Sequence, residues 1–379
     1  MQVQFARFLT LFAHMNHALK HSIFFLIFLV SYNLADAQEL ERKLLNWQQK
    51  SIYLGPVLAE NGVTTVEFLA TNPHADSLFI TDVITDCGCT LVDYSRDTLV
   101  TDGLLSLKVS YESDYRGGDF SKLILVRTNL DIYGDTLVLE GINFPVIDDA
   151  GRNFPYKKGG LGFRLPSINV GQLFTNEPKV KFYDVYNFGK DSVSFKDLME
   201  QPWPAYVQFN LEPTKVAPSA RALLAVTVNA EKLGDLGFFS ENVKILVEES
   251  NTSIDLNLMG TVFEFFEPIP KSMEKIVPRL LISEPDIDFK EISSSRTVQR
   301  SLVLSNLGQE PLLIRKVSTN CDCVNVILEE KEIFPGGKAE INITFDPKGR
   351  QGIDHKHITL FTNDPINPVR TITLRSMIK

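Results

Sequence analysis

One spacing organises this sequence. A shift of 234 residues carries Cys87 onto Cys321, Asn72 onto Asn306, Gly103 onto Gly337, Tyr111 onto Phe345, Gly118 onto Gly352 and Asn129 onto Asn363 without a gap. Apolar positions follow it: Phe68 and Ala70 fall on Leu302 and Leu304, Leu78 and Ile80 on Leu312 and Ile314, and Leu107 and Val109 on Ile341 and Ile343. A more diverged copy lies between, where "INVGQL" from Ile168 matches "IDFKEI" from Ile287 and "IYLGPV" from Ile52. An asparagine follows in each, at Asn187, Asn306 and Asn72. Repeat starts about 115 to 119 residues apart are too long for a solenoid unit and fit whole domains. The middle copy has no cysteine.

Within each copy the apolar period is two. "AEINITF" sets Ile341, Ile343 and Phe345 against Glu340, Asn342 and Thr344, and "SLKVSY" alternates likewise, as half-buried antiparallel strands do. Short strands recur with Gly, Pro, Asn or Asp at the breaks, and no segment carries a helical stripe. The chain is therefore expected to be all-β, with three tandem immunoglobulin-like β-sandwich domains after an N-terminal signal peptide. The expected divisions are a signal peptide at 1–37, a short N-terminal segment at 38–50 that is helical with Leu44, Leu45 and Trp47 as docking residues, and a first sandwich at 51–148. A linker at 149–165, a second sandwich at 166–264, a linker at 265–284 and a third sandwich at 285–379 complete the chain. Asn72, Asn187 and Asn306 each begin a turn between two strands.

The apolar run "SIFFLIFLV", preceded by Lys20 and followed by "ADAQ", reads as an export signal cleaved after Ala37. The mature part contains no apolar stretch of about 18 residues, so an integral membrane segment is not expected. Export to the periplasm or cell surface permits disulfides. With 44% hydrophobic and 22% charged residues the chain can bury cores, while a net charge of -9 argues against a nucleic-acid partner.

"LATNPHADSLFITDVITDCGCT", followed by "DGLLSLKVSYESDYRGGDFSKLILVRTN", resembles the bacterial domain-of-unknown-function family fifteen-seventy-three. The third repeat resembles a second member, although Val324 replaces the threonine that follows Cys-x-Cys at Thr90. The likeness covers about residues 50–142 and 285–379, and the middle copy resembles only the wider hydin-like group. Such domains are similar to hydin and major-sperm-protein immunoglobulin-like modules. The resemblance implies a fold and a cell-envelope setting, and no reaction.

The chemistry-bearing residues are few. No G-x-S-x-G, H-E-x-x-H or G-x-x-x-x-G-K-[ST] motif is present, and "KKGGLGFR" at Lys157 lacks the strand-then-helix context of a phosphate loop. No enzyme and no cofactor are expected. Cys87, Cys89, Cys321 and Cys323 are the candidate redox or structural thiols. They admit three readings: small buried side chains at strand ends, local disulfides that need a turn to close, or a thiolate site for a soft metal ion. His355 and His357 do not complete a metal site, because alternation with Ile358 and Leu360 puts them on the opposite face. The expectation is that the cysteines support local structure. "DSL" at Asp76, "DTL" at Asp97 and Asp135, and "DSV" at Asp191 resemble a bacterial O-glycosylation signal and equally fit turns entering strands. Trp47, Trp203 and Tyr156 are the aromatic candidates for glycan binding. The expected function is a non-enzymatic exported binding or scaffolding protein, working through sheet edges and loops on another envelope protein. The alternative is envelope thiol-disulfide or metal handling at the two Cys-x-Cys loops.

Overall fold

Alternation becomes structure because side chains on a strand point to opposite faces in turn. In Lys338–Phe345, Ala339, Ile341, Ile343 and Phe345 are buried while Lys338, Glu340 and Asn342 are exposed. Each large apolar side chain so buried stabilises the fold by about 1.5–3 kcal/mol. The structure, a computed structural model, describes residues 42–113 and 116–379. The expected signal peptide, its cleavage site and residues 38–41 lie outside them. Two compact units divide the chain at Val146 and Ile147. The first holds one sandwich and the second holds two, each around its own apolar core.

The first sandwich contains β1 (Asn46–Trp47), β2 (Ser51–Leu58), β3 (Thr64–Thr71), β4 (Ile80–Thr85), β5 (Thr90–Tyr94), β6 (Leu104–Tyr111), β7 (Gly118–Thr128) and β8 (Asp135–Phe144). One sheet runs β1-β3-β6-β5 and the other β2-β8-β7-β4. The middle one contains β9 (Tyr156–Lys158), β10 (Leu161–Phe163), β11 (Ser167–Phe174), β12 (Lys179–Asn187), β13 (Val193–Ser194), β14 (Val207–Glu212), β15 (Lys215–Val216), β16 (Arg221–Val228), β17 (Gly237–Leu246) and β18 (Ser253–Phe263). Its sheets are β14-β16-β12-β10-β9 and β11-β18-β17, with β13 on β15 beside them. The third contains β19 (Leu280–Ile282), β20 (Asp286–Ile292), β21 (Val298–Asn306), β22 (Leu312–Thr319), β23 (Val324–Leu328), β24 (Glu332–Ile333), β25 (Lys338–Phe345), β26 (Gly352–Thr362) and β27 (Val369–Ile378). Its sheets are β19-β21-β25-β23 and β20-β27-β26-β22-β24. Each domain is an immunoglobulin-like β-sandwich.

Three expectations are corrected. Residues 46–47 of the N-terminal segment form a strand on β3, not a helix, with Leu45 and Trp47 buried and Leu44 half-buried. The linker at 149–165 holds a helical turn, Ala150–Asn153, then β9 and β10, and buries Phe154, Leu161 and Phe163. The linker at 265–284 ends in β19 and is tied to the third sandwich, since Leu307 N–H donates to Arg279 O and Gln309 N–H to Ile276 O, both at 2.9 Å. Gly308 lies so near that a Cβ there would stand 2.0 Å from Val277 O. All three segments thus contain the first strand of the sandwich that follows, and strands of two or three residues leave no periodicity to read.

The long first strand of each sandwich also pairs in parallel with the last, β2 on β8, β11 on β18 and β20 on β27, and each pairing breaks register once. At the three breaks stand Gly55, Gly171 and Lys290, with φ of +74°, +73° and +57°. Glycine adopts this left-handed conformation freely and lysine does not. Lys290→Gly should therefore stabilise the third sandwich by about 0.5–1 kcal/mol in denaturant unfolding. A loss of stability would refute this account of the bulge.

The three repeat asparagines are buried, with Asn72 and Asn187 at 0% exposure and Asn306 at 1%. Each Nδ2 donates to the carbonyl four residues on and to a second one 27 to 29 residues on. For Asn306 these are Glu310 O at 2.7 Å and Ile333 O at 2.9 Å; for Asn72 they are Asp76 O and Leu99 O; for Asn187 they are Asp191 O and Val216 O. Each Oδ1 accepts from the backbone N–H two residues on. They begin turns, as the sequence suggests, but act as buried hubs.

The middle and third sandwiches touch within the second unit. Arg315 grips Glu264 through Nε at 3.2 Å and Nη2 at 3.1 Å, and Lys316 Nζ reaches Asp235 Oδ2 and Leu236 O, both at 2.6 Å.

Candidate functional site

Both Cys-x-Cys segments sit where the chain crosses from one sheet to the other, between β4 and β5 and between β22 and β23. The repeat builds the two corners alike. Thr85 Oγ1 donates to Cys87 O and Thr319 Oγ1 to Cys321 O, both at 3.1 Å. Glu112 N–H donates to Cys89 O and Asp346 N–H to Cys323 O, both at 2.9 Å. The backbone turns enough to bring the Cα atoms within 5.2 Å in the first loop and 5.1 Å in the third, inside the bridgeable range. Each pair is joined as a local disulfide, so the free-thiol alternative is not the arrangement present. Neither Gly88 nor Asp322 adopts a left-handed φ, which explains why aspartate serves as well as glycine in this turn.

The surroundings of the sulfurs differ. In the first loop Cys87 Sγ lies 3.5 Å and Cys89 Sγ 3.8 Å from Thr90 Oγ1. In the third, Arg350 Nη2 stands 3.0 Å from Cys321 Sγ, and Cys323 N–H points at the same sulfur from 3.1 Å. Arg350 Nη1 is 3.7 Å from Asp354 Oδ2, and Lys356 pairs with Asp354 Oδ1. Cys323, like Cys89, packs against its domain's core, leaving Cys321 and Cys87 as the outer sulfurs. Arg350 was not among the sequence candidates, yet the 234-residue shift carries Arg116 onto it and could have found it.

The remaining candidates do not assemble. His355 and His357 are exposed, opposite buried Ile358 and Leu360. Among the described residues no group of three or more His, Cys, Asp and Glu is placed to hold a metal ion. Trp47 is buried with Nε1–H donating to Asp135 Oδ2 at 3.0 Å, Trp203 packs on Phe209, and the Tyr156 hydroxyl donates to Asp255 O. Of these glycan-binding candidates, Trp47 belongs to its domain's core, while Trp203 and Tyr156 are half-buried and pack against theirs. Ser77, Thr98 and Thr136 are exposed and Ser192 half-buried, each entering a strand or bridge. No helix among the described residues is long and apolar enough to cross a membrane.

A second feature belongs to the middle sandwich. In its neighbours the outer edge of β7 is covered by β4, from Ile80 on Thr128 to Thr85 on Ile124, and that of β26 by β22, from Ile314 on Thr362 to Thr319 on Ile358. The corresponding strand in the middle domain stops after β13 and one bridge, Phe195 on Val247, where the chain turns away through "KDLMEQPWP" with Pro202 and Pro204. Gln201 brackets the last edge residue, accepting from Leu246 N–H at 2.8 Å and donating to Leu246 O at 3.0 Å. Since the backbone of Leu246 faces outward, so do those of Lys244, Asn242, Ser240 and Phe238. No strand pairs with that stretch among the described residues.

The family model described as "Protein of unknown function (DUF1573)" matches residues 45–143 and 280–378, more than half of the 379 residues. No curated protein matches the chain. Among solved structures it is similar to a protein of unknown function from Porphyromonas gingivalis W83, at 18% identity and a TM-score of 0.41, over 58% of this chain and 100% of that one. It is also similar to the ASH / PapD-like domain 7 of human CEP192, at 14% identity and a TM-score of 0.24, covering 30% of this chain and 93% of that domain. A C. elegans MSP family member, WR4, matches at 14% identity and a TM-score of 0.19, over 26% of this chain and 97% of its own.

Proposed function

The chain belongs to the DUF1573 family, and from that premise we propose that it is an exported binding protein of the bacterial cell envelope, which holds an extended strand of another envelope protein against β17. The observation that carries this reading is the open edge from Phe238 to Lys244 in a sheet whose two sister copies have that edge filled. Those copies say what fits: a strand antiparallel to β17, bonded through its backbone. Unpaired edge groups favour strand addition, and the exposed Phe238 offers an apolar foothold for a side chain of the added strand. The net charge of -9 speaks against nucleic acid as the partner.

A photo-reactive side chain at Ser240 in the full chain, compared with one at Asn342 on a central strand of the third sandwich, tests this in the native envelope. An adduct with one exported protein is expected at Ser240 and not at Asn342. Asn242→Pro removes an outward N–H that the fold does not use, so it should abolish the adduct while leaving the unfolding midpoint nearly unchanged. Equal labelling at both positions, or an adduct indifferent to the proline, would exclude β17 as the binding edge.

A further inference from the structure

We propose that the Cys321–Cys323 disulfide is a thiol-exchange site that oxidises a dithiol of another exported protein, with Arg350 holding Cys321 as a thiolate once it is released. Two donors converge on one sulfur of this disulfide. Arg350 Nη2 and Cys323 N–H lie 3.0 and 3.1 Å from Cys321 Sγ, while the sulfurs of the first loop meet the neutral Thr90 hydroxyl. A thiolate gains far more from a guanidinium and an N–H than a disulfide sulfur does, so the pair favours the reduced loop. The charges around the site agree. Arg350 and Lys356 bring two positive charges, and the mostly buried Asp354 brings one negative. Asp322, Asp346 and Lys348 are exposed, where water screens them. The inner cluster keeps one positive charge for a Cys321 thiolate to meet.

The exchange balances as follows. A thiolate of the partner attacks the outer sulfur, Cys321 Sγ; the partner–Cys321 bond forms, the Cys321–Cys323 bond breaks, and the electron pair leaves on Cys323 Sγ, which takes a proton. The partner's second thiolate attacks its own sulfur in that mixed disulfide and expels Cys321 as a thiolate beside Arg350. The partner gives up two electrons and two protons and becomes a disulfide. The loop takes both electrons and one proton, and the other proton passes to solvent. Core packing of Cys323 directs attack to Cys321.

Glutathione buffers applied to the full chain, followed by acid quench, alkylation and mass spectrometry of each loop, test the idea. In the wild-type chain the glutathione adduct is expected on Cys321 and not on Cys323, a result that needs no variant. Arg350→Met should shift the third loop's equilibrium at least about tenfold toward the disulfide, equivalent to about 30 mV, while the Cys87–Cys89 equilibrium stays fixed as an internal control. Arg350→Lys, which keeps the charge, should fall between the two. An adduct confined to Cys323, or an equilibrium unmoved in a folded Arg350→Met chain, would overturn the assignment.

Discussion

Asn306→Ala should cost the third sandwich about 3 kcal/mol or more, a large share of the 5–15 kcal/mol by which a domain is stable. The side chain is almost wholly buried and makes four bonds, to Glu310 O, Ile333 O, Gly308 N–H at 2.9 Å and Arg279 N–H at 3.3 Å. Alanine removes both donors and the acceptor together, and the backbone groups left behind face protein, not water. Each orphaned group costs about 1–3 kcal/mol. The bonds also tie β19, through Arg279, to the turn after β21, so their loss loosens the edge of one sheet. Backbone hydrogen exchange localises the effect: amides of β21 and β25 should lose protection by about a hundredfold while those of β3 and β6 hold theirs. A cost below about 1 kcal/mol would mean that the turn backbone, not the side chain, carries the position.

That asparagine marks where sequence reasoning ends. The 234-residue shift and the period of two make the sandwiches legible, because both depend on residues a few positions apart or on direct comparison of copies. The outward face of His355 and His357 follows from the same alternation. What the shift cannot show is depth. Asn72, Asn187 and Asn306 look like surface turn residues until the segment carrying Leu99, Val216 or Ile333 is folded over them. Similarly, β1, β10 and β19 are invisible as "NW", "LGF" and "LLI", since two or three residues complete no alternation. Parallel pairing of β2 with β8 joins segments about 85 residues apart, and no local pattern announces a distant partner.

The sites divide the same way. Cysteine spacing points to the two loops, and the repeat alignment of Arg116 with Arg350 was available, but only the fold puts a guanidinium on Cys321. In the middle copy, missing cysteines and a pair of prolines are plain in the sequence. Their consequence is not, because it depends on knowing that the lost strand would have been the outermost on β17. The same loss removes both the loop and its strand, so the middle domain offers an edge where its neighbours offer a disulfide.

Asp184→Ala should destabilise the middle sandwich by about 3–5 kcal/mol. Asp184 lies in β12 at the centre of the larger sheet, with its side chain 3% exposed, and faces two arginines. Arg164 Nε donates to Oδ1 at 2.6 Å and Nη2 to Oδ2 at 2.5 Å, while Arg221 Nη1 donates to Oδ2 at 3.3 Å with its own side chain only 2% exposed. The bonds from Asp184 hold the Arg164 guanidinium above its ordinary pKa. Truncation therefore takes a carboxylate away from a guanidinium, that of Arg221, which is almost wholly out of water. Arg164, nearly half exposed, can turn to solvent, so Arg164→Ala should cost only about 1 kcal/mol. This cluster also fastens the residue that follows β10 to the centre of the sheet, and so determines how the segment after residue 149 joins the domain. If desolvation of Arg221 is the origin of the cost, Asp184→Leu combined with Arg221→Met should recover most of it, since apolar replacement of a buried pair is often neutral or better. Urea unfolding and exchange at β12 and β16 amides would decide: a double variant as unstable as Asp184→Ala would place the cost in lost packing, not in charge.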